Sequence, residues 1–249
     1  MIRTMVGCLI TLSSTVGCDT TANTGGKERV MTYAVHRFGV PLTIDADWDK
    51  AVWKNVETIE LTHYMGDRPK HFPRVRAKML YDADALYVIF HVEDQYVRAV
   101  AQKHQDPVCR DSCVEFFFVP GMDDSAGYFN IEMNCGGTML ANFQIIPRED
   151  AIQITPADLE RIQVARTLPR TVDPELTEPT TWTVAYRMPT DILAKYCPSA
   201  TKPAPGVTWR ANFYKCGDQT SQPHWAMWNE IPGELGFHKP EHFAPLRFE

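Results

Sequence analysis

Two short runs of alternating side chains, residues 113–119 and 128–134, constrain the fold of this chain more than any other feature. The segment between them, residues 120–127, is rich in glycine, proline and aspartate, so the two runs predict a β-hairpin. Because side chains along a strand point to opposite faces in turn, a hairpin of this pattern has one apolar face for a core and a second face free for another role.

One register of this hairpin separates the two kinds of side chain, and a slip of one residue would mix them. The apolar face then holds Val114, Phe116, Phe118, Phe129, Ile131 and Met133. On the other face Glu115 lies opposite Glu132, with Asn130 beside Phe117. Two carboxylates directly opposed on a sheet repel each other. The pair therefore indicates a partner that contacts both carboxylates, such as a cation, an arginine or a sugar hydroxyl.

Further runs of the same period predict a β-sheet protein. Residues 74–79 and 86–93 flank an aspartate-bearing turn and predict a second hairpin, and residues 181–188 and 209–214 predict two more strands. We expect Trp53, Trp182 and Trp209 in the core. Residues 189–193 predict one short helix. The predicted fold is all-β: a jelly-roll-like β-sandwich of two antiparallel sheets with one short helix.

The first thirty residues are typical of an exported lipoprotein. Arg3 is followed by an uncharged apolar segment, residues 5–16, which is too short to span a bilayer. Residues 15–18 (TVGC) resemble a bacterial lipobox, although leucine is usual where Thr15 stands. We therefore expect a signal peptide at 1–18, lipidation of Cys18, a flexible tether at 19–30 and a single domain at 31–249. This places the protein on the periplasmic side or the outer membrane, held by a lipid anchor.

Charge and composition exclude some partners and leave others open. The net charge of −6 leaves no basic stripe for a nucleic acid. Ten methionines and eight histidines could supply axial ligands to a b-type haem, which stays an alternative, but no c-type attachment motif occurs. Asp45, Asp47 and Asp49 alternate as calcium ligands do, yet they lack an EF-hand's glycine and glutamate, so a turn or a structural calcium remains open. We expect no other cofactor.

Five cysteines follow the tether: Cys109, Cys113, Cys135, Cys197 and Cys216. An odd number leaves at least one unpaired, and the sequence does not give the pairing of the others. Zinc sites are marked by closely spaced pairs of cysteine and histidine, and the lone spacing from Cys109 to Cys113 does not predict one.

Four segments, in order, resemble family 9 carbohydrate-binding modules. They are IDAD with AVW at 44–53, the hairpin 81–94, DSCVEFF at 111–117 and FHKPEHF at 237–243. The resemblance covers about residues 33–249 and is nearest to family-9-like lipoproteins of polysaccharide-degrading bacteria. It implies a β-sandwich that binds sugar without catalysing a reaction.

The resemblance also implies which side chains bind. Family members hold a terminal sugar between two tryptophans, with carboxylates and an arginine bonding its hydroxyls. By motif position the carboxylates are Asp94 and Glu115, the second aromatic is Phe237, and Asn130 stands where the arginine would be. No aromatic occupies the first tryptophan's position, near Val108.

Three more residues are candidates for the same surface, and two other functions compete with sugar binding. Glu132 faces Glu115 in the predicted register, while Trp225 and Trp228 lie in a polar segment where either could face a ligand. The glutamate pair could also serve a glycosidase, which needs two carboxyl groups about 5–9.5 Å apart. The remaining alternative is a protein-interaction or hydrolase-associated module of a polysaccharide-utilisation system.

Overall fold

The computed structural model describes residues 31–39 and 42–249, so the predicted signal peptide, the lipidation site Cys18 and the predicted tether lie outside the described residues. The strands of the described part are β1 (Tyr33–Arg37), β2 (Ile59–Glu60), β3 (His63–Tyr64), β4 (Arg74–Tyr81), β5 (Ala85–Asp94), β6 (Val97–Ala99), β7 (Cys113–Val119), β8 (Tyr128–Asn134), β9 (Met139–Gln144), β10 (Ile152–Gln153), β11 (Gln163–Arg166), β12 (Val172–Leu176), β13 (Thr180–Pro189), β14 (Thr208–Cys216), β15 (Trp225–Met227) and β16 (Ala244–Phe248). The helices are α1 (Pro156–Leu159) and α2 (Thr190–Tyr196). None of the described helices is long and apolar enough to cross a membrane.

The strands form two sheets that meet at β1. The front sheet runs in the order β10-β9-β8-β7-β14-β16-β1, and the back sheet in the order β1-β4-β5-β13-β11. The first half of β1, Tyr33 to Val35, pairs with β16, and its second half, His36 and Arg37, pairs with β4. Both of these pairings are parallel, whereas the other pairings within the two sheets are antiparallel. The predicted sandwich is therefore confirmed, with one parallel strand shared by both sheets.

The main core lies between the sheets and is built from the predicted alternation. Trp53, Trp182 and Trp209 are each at most 1% exposed, as expected for core residues. The ring of Phe118 stacks on Trp209 with a centroid distance of 5.3 Å. Such an aromatic pair adds about 0.5–1.5 kcal/mol beyond the burial of its area. Repeated stacking of this kind fixes the position of β7 in the front sheet.

The hairpin of β7 and β8 has the register that its sequence predicts. Phe116 pairs with Ile131 and Glu115 pairs with Glu132. Gly127 closes the turn with a φ of 95°, and a Cβ there would lie 2.6 Å from the ring of Phe143. Only glycine fits this position without strain. The second predicted hairpin, of β4 and β5, is also present.

The outer face of the front sheet is covered, contrary to the open face that the sequence suggested. Side chains of the segments before β7 and after β15 pack onto it and form a second apolar cluster, which includes Ala101, Val108, Phe117, Tyr214, Ile231, Phe237 and Phe243. Phe117 is fully buried as a result. The covering segments leave one opening, which is described below.

The helical content differs slightly from the prediction of one short helix. Helix α2 begins at Thr190, directly after Pro189, as the sequence predicts. The additional helix α1 is a single turn that begins at Pro156, after an N-cap in which Thr155 accepts a hydrogen bond from the backbone N–H of Asp158. A threonine cap followed by proline is a standard start for a helix, so this turn carried a recognisable signal.

Candidate functional site

The opening in the cover of the front sheet leads into a cavity of about 270 Å³, here called the glutamate cavity. It is lined by Cys109, Glu115, Glu132, Arg148, Cys216, Asp218, Trp225, Leu235, Gly236, Phe237 and His238. Its volume is slightly below the range of about 300–1,000 Å³ that is usual for small-molecule sites. The cavity therefore suits the end of a ligand rather than a long chain.

A second depression, of about 770 Å³, is larger but chemically poorer. It lies beside α2 and is lined mainly by charged and small side chains, with no aromatic residue among them. Lacking a flat apolar surface, it cannot stack a ring. We therefore take the glutamate cavity as the candidate site.

The two glutamates line the cavity from adjacent strands. Glu115 is 2% exposed and accepts a hydrogen bond from the thiol of Cys216, at 3.0 Å between sulfur and Oε1. Glu132 is 6% exposed and accepts one from the side-chain amide of Asn130, at 3.0 Å. Arg76, on β4 of the back sheet, pairs with Glu93 at 2.9 Å and not with Glu115. Among the described residues, no salt bridge involves either cavity glutamate.

Burial and mutual repulsion make both carboxyl groups weaker acids. Burial, followed by the charge of Glu132, raises the pKa of Glu115 well above its ordinary value. Burial raises the pKa of Glu132 to about 7, although the hydrogen bond from Asn130 opposes the shift. Nearby, burial and then the charge of Arg148 lower the pKa of His238 to about 4. The cavity thus disfavours any additional negative charge.

Two aromatic side chains border the cavity. Trp225 is half-buried and its indole N–H donates to Asp218 at 2.8 Å, which fixes the ring at the mouth. Phe237 is 7% exposed and stacks on Tyr214 with a centroid distance of 4.1 Å and an angle of 11°. One face of its ring is therefore occupied by protein. The structure brings both predicted aromatics to the same cavity as the two glutamates.

Asp94 does not join this site, and its predicted convergence with Glu115 is wrong. Its side chain is on the same face of β5 as the apolar core residues, so it lies between the sheets and is fully buried. There it bonds His71 at 2.7 Å and lies 3.4 Å from the ammonium of Lys215. Burial would raise the pKa of Asp94, but Lys215 and the hydrogen bond to His71 outweigh it and hold the pKa well below its ordinary value.

Two other candidates have supporting or structural positions. Trp228 is 4% exposed and packs edge-on against Phe213 in the main core, so its assignment to the binding face is wrong. Trp225 pairs with Cys216, and both side chains face the cavity. Side chains alternate along an extended chain, so Trp228, three positions further on, points the other way. Asn130 is fully buried and bonds Glu132 and Gln144, so it holds the glutamate in place without lining the cavity.

Several residues that line the cavity were not among the predicted site residues: Cys109, Cys216, Arg148, Asp218 and His238. The position of Cys216 could have been found in part, because alternation along β14 puts its side chain on the same face as that of Tyr214. However, the pairing of β14 with β7 had not been predicted. All five cysteines after the tether have free thiols in the structure.

The aspartates of residues 45–49 form a turn. Asp45 accepts from the backbone N–H of Asp47 at 3.3 Å, and Asp47 accepts from that of Asp49 at 3.0 Å. The ammonium of Lys50 lies 2.6 Å from the Asp45 carboxylate. These contacts favour the turn over the structural calcium, because the carboxylates already have partners within the chain.

The chain matches known proteins along almost its whole described length. The family model for carbohydrate-binding family 9 matches residues 41–248. No curated protein matches the sequence.

Solved structures show the same fold. A candidate carbohydrate-binding protein from Bacteroides uniformis is 24% identical, with a TM-score of 0.78, over 88% of this chain and 100% of that chain. A family 9 carbohydrate-binding module from Caldicellulosiruptor kristjanssonii in complex with cellotriose is 16% identical, with a TM-score of 0.60, over 88% and 94% of the two chains. The same organism's family 9 module in complex with glucose is 15% identical, with a TM-score of 0.59, over 87% and 95%.

Proposed function

This chain belongs to carbohydrate-binding family 9, and on that premise we propose that it holds a neutral sugar in the glutamate cavity and does not catalyse its hydrolysis. The observation that carries this assignment is the meeting of the pair Glu115 and Glu132 with the aromatic side chains of Trp225 and Phe237 in one cavity. A sugar ring needs both kinds of surface, because its C–H groups pack on aromatic faces while its hydroxyls form paired hydrogen bonds.

The glutamates are suitable hydroxyl partners. Neither forms a salt bridge within the described chain, so their oxygens are available on the cavity side. A hydrogen bond to such a carboxyl group contributes about 0.5–1.5 kcal/mol when the group is protonated and about 1.5–3 kcal/mol when it is ionised, and two of them orient a ring in a small cavity. Asn130 fixes Glu132, and the thiol of Cys216 fixes Glu115, so both acceptors are positioned before a ligand arrives.

The charge of the cavity supports a neutral ligand. Glu115, Glu132 and Asp218 line it, and Arg148 is its only lysine or arginine side chain among the described residues. A uronic acid or a sulfated sugar would add charge of the same sign in a partly desolvated place, which costs free energy. Neutral glucose and cellotriose are the ligands in the two Caldicellulosiruptor structures that share the fold, and we propose gluco-oligosaccharides as the first ligands to test.

Calorimetry of the full chain against glucose, cellotriose and a panel of neutral and acidic oligosaccharides tests this proposal. We expect binding of a neutral oligosaccharide that Trp225→Ala weakens by about 5- to 30-fold, equivalent to the 1–2 kcal/mol of lost apolar contact. Trp48→Ala is the matched control, because Trp48 is also half-buried but lies over Lys78, away from the cavity. Equal affinity of both variants for a confirmed ligand would place the site elsewhere.

We also propose that the domain is exported and tethered by lipid at Cys18, where it captures polysaccharide for catabolism. The charged start, the apolar segment 5–16 and the TVGC sequence support this location. Acyl chains contribute about 0.8 kcal/mol per buried CH₂, so Cys18→Ala should move the protein from the membrane to the soluble fraction. Cys8→Ala is the control and should stay with the membrane; sedimentation of the Cys18 variant with membranes would contradict the proposal.

A further inference from the structure

Two thiols and a carboxylate meet beside the glutamate cavity, whose wall includes Glu115 and Cys216. The sulfur atoms of Cys113 and Cys216 and a carboxylate oxygen of Glu115 all lie within 4.8 Å of one another, and all three residues are buried. Among the described residues, no other group of three cysteine, histidine or acidic side chains lies this close together. We call these three residues the thiol cluster.

Strand pairing holds the thiol cluster together. Cys113 and Cys216 are directly opposite each other on β7 and β14, and Glu115 is two residues further along β7 on the same face. The thiol of Cys216 already lies 3.0 Å from Oε1 of Glu115. Because all three donors are on rigid strands of one sheet, their separation is set by the fold rather than by a loop.

We propose that the thiol cluster binds a Zn²⁺ ion through the two sulfurs and the Glu115 carboxylate, with the fourth position open to the cavity. Zinc prefers thiolate and carboxylate ligands in a tetrahedron, at about 2.3 Å for sulfur and 2.0–2.2 Å for oxygen. Neighbouring ligand atoms in such a tetrahedron are roughly 3.3–3.8 Å apart, so small side-chain rotations suffice. Binding releases the two thiol protons to solvent, together with the proton of Glu115 where that carboxyl is protonated, and a water molecule completes the coordination.

The surroundings of the thiol cluster favour a cation. Glu132 faces Glu115 directly, Asp218 lines the same cavity, and neither glutamate has a basic partner among the described residues. Lys215, although adjacent to Cys216, points to the other side of the sheet and engages Asp94. A divalent ion between the sulfurs and Glu115 would remove the repulsion between the two opposed carboxylates.

The ion also has a route to the site. Glu115 and Cys216 line the cavity, so an ion can arrive from solvent without unfolding of the sheet. Closely spaced pairs of ligands in the sequence, which mark ordinary zinc motifs, are absent here because Cys113 and Cys216 meet only through strand pairing.

The experiment is a titration of the reduced full chain with Zn²⁺ alone, in competition with a chromophoric chelator, followed by Co²⁺ substitution. We expect one equivalent of tightly bound Zn²⁺ and a sulfur-to-cobalt charge-transfer band. Cys113→Ser and Cys216→Ser should each weaken binding by more than about 100-fold, because even outer-shell changes at metal sites cost 10- to 100-fold. Cys197→Ser is the control: it is buried and free, but lies at the end of α2.

Other outcomes would overturn the proposal. They are the absence of the cobalt band, equal affinity of the three serine variants, and isolation of the chain with Cys113 and Cys216 already joined as a disulfide. If a serine variant does not fold, peptide mapping of the wild type replaces it, and Zn²⁺ should then protect Cys113 and Cys216 from alkylation. Sugar binding is measured separately, so a failure here leaves the proposed function standing, and the reverse also holds.

Discussion

The carboxylate of Asp94 and the ammonium of Lys215 lie 3.4 Å apart, and both side chains are completely shielded from solvent. They come from different sheets, β5 and β14, so the contact fastens one sheet to the other. A buried charge that loses its partner keeps its full cost of desolvation. This relationship makes the interior more sensitive to single substitutions than an apolar core would be.

We predict that Asp94→Ala lowers the free energy of unfolding by about 3–5 kcal/mol, the usual cost of leaving a buried charge unpaired. Urea unfolding of the full chain measures it. Glu93→Ala is the neighbouring control, because its contacts with Arg74 and Arg76 are partly exposed and worth at most about 1 kcal/mol each. The double variant Asp94→Ala with Lys215→Met should recover part of the loss; a single variant as stable as wild type would contradict the prediction.

We predict that His224 makes the protein less stable as the pH falls below about 6.5, an effect opposite in sign to that of Glu115 and Glu132, whose raised pKa values favour the folded state at low pH. Burial and then the charge of Lys215 lower the pKa of His224 to about 3 from an ordinary value of 6.5. A lowered pKa means that the folded state holds the neutral ring, so the stability it contributes is complete above pH 6.5 and is lost as the pH falls towards 3. Its neighbours His71, Asp94 and Lys215 set this environment.

A variant isolates this effect. Lys215 lies 2.7 Å from Nε2 of His224, so it can donate only to an unprotonated ring nitrogen. His224→Gln keeps an acceptor for Lys215 and should flatten the decline between pH 6.5 and 3, as measured by urea unfolding at several pH values. The exposed His36→Gln should leave the decline unchanged. An identical slope in the wild type and His224→Gln would show that the acid sensitivity comes from another group.

We predict that Phe237→Ala affects both affinity and stability. The ring is 7% exposed and stacks on Tyr214, and replacing a buried phenylalanine by alanine typically costs about 3–5 kcal/mol. Phe237→Leu keeps most of the volume and should lose affinity for the sugar with a much smaller loss of stability. Calorimetry combined with thermal unfolding separates the two effects. Unchanged stability of the alanine variant would show that the ring is not part of the cover of the front sheet.

We predict that the purified protein neither hydrolyses glycans nor carries haem. A glycosidase needs two carboxyl groups held in different protonation states, whereas burial raises the pKa of both Glu115 and Glu132 in this cavity. Assays for reducing sugars released from xylan, glucan and pectin should therefore be negative, and no Soret band should appear. Hydrolysis that Glu115→Gln abolishes would favour an enzyme over a binding module.

The parts of the fold that depend on local alternation were predictable from sequence. The register that places Glu115 opposite Glu132 follows from keeping the apolar residues of β7 and β8 on one face, and it is confirmed. The same reasoning placed Trp182 and Trp209 in the core. In each case the information lies within one short, continuous stretch of the chain.

The parts that depend on distant segments were not predictable. Whether the face of Glu115 is open or covered depends on where the chain after β15 runs, and nothing in its composition determines this path. The position of Cys216 beside Cys113 depends on pairing between strands about 100 residues apart. Asp94 was assigned to the site by motif position. Alternation along β5, however, puts its side chain on the same face as the core residues of that strand, and this placement proved correct.

The parallel strand β1 has a mechanical consequence. The chain enters the described domain at this strand, which is hydrogen-bonded to β16 on one side and to β4 on the other. A force on the segment that precedes Tyr33 would therefore act on the ladders to both sheets, so β1 could not leave one sheet without straining its pairing with the other.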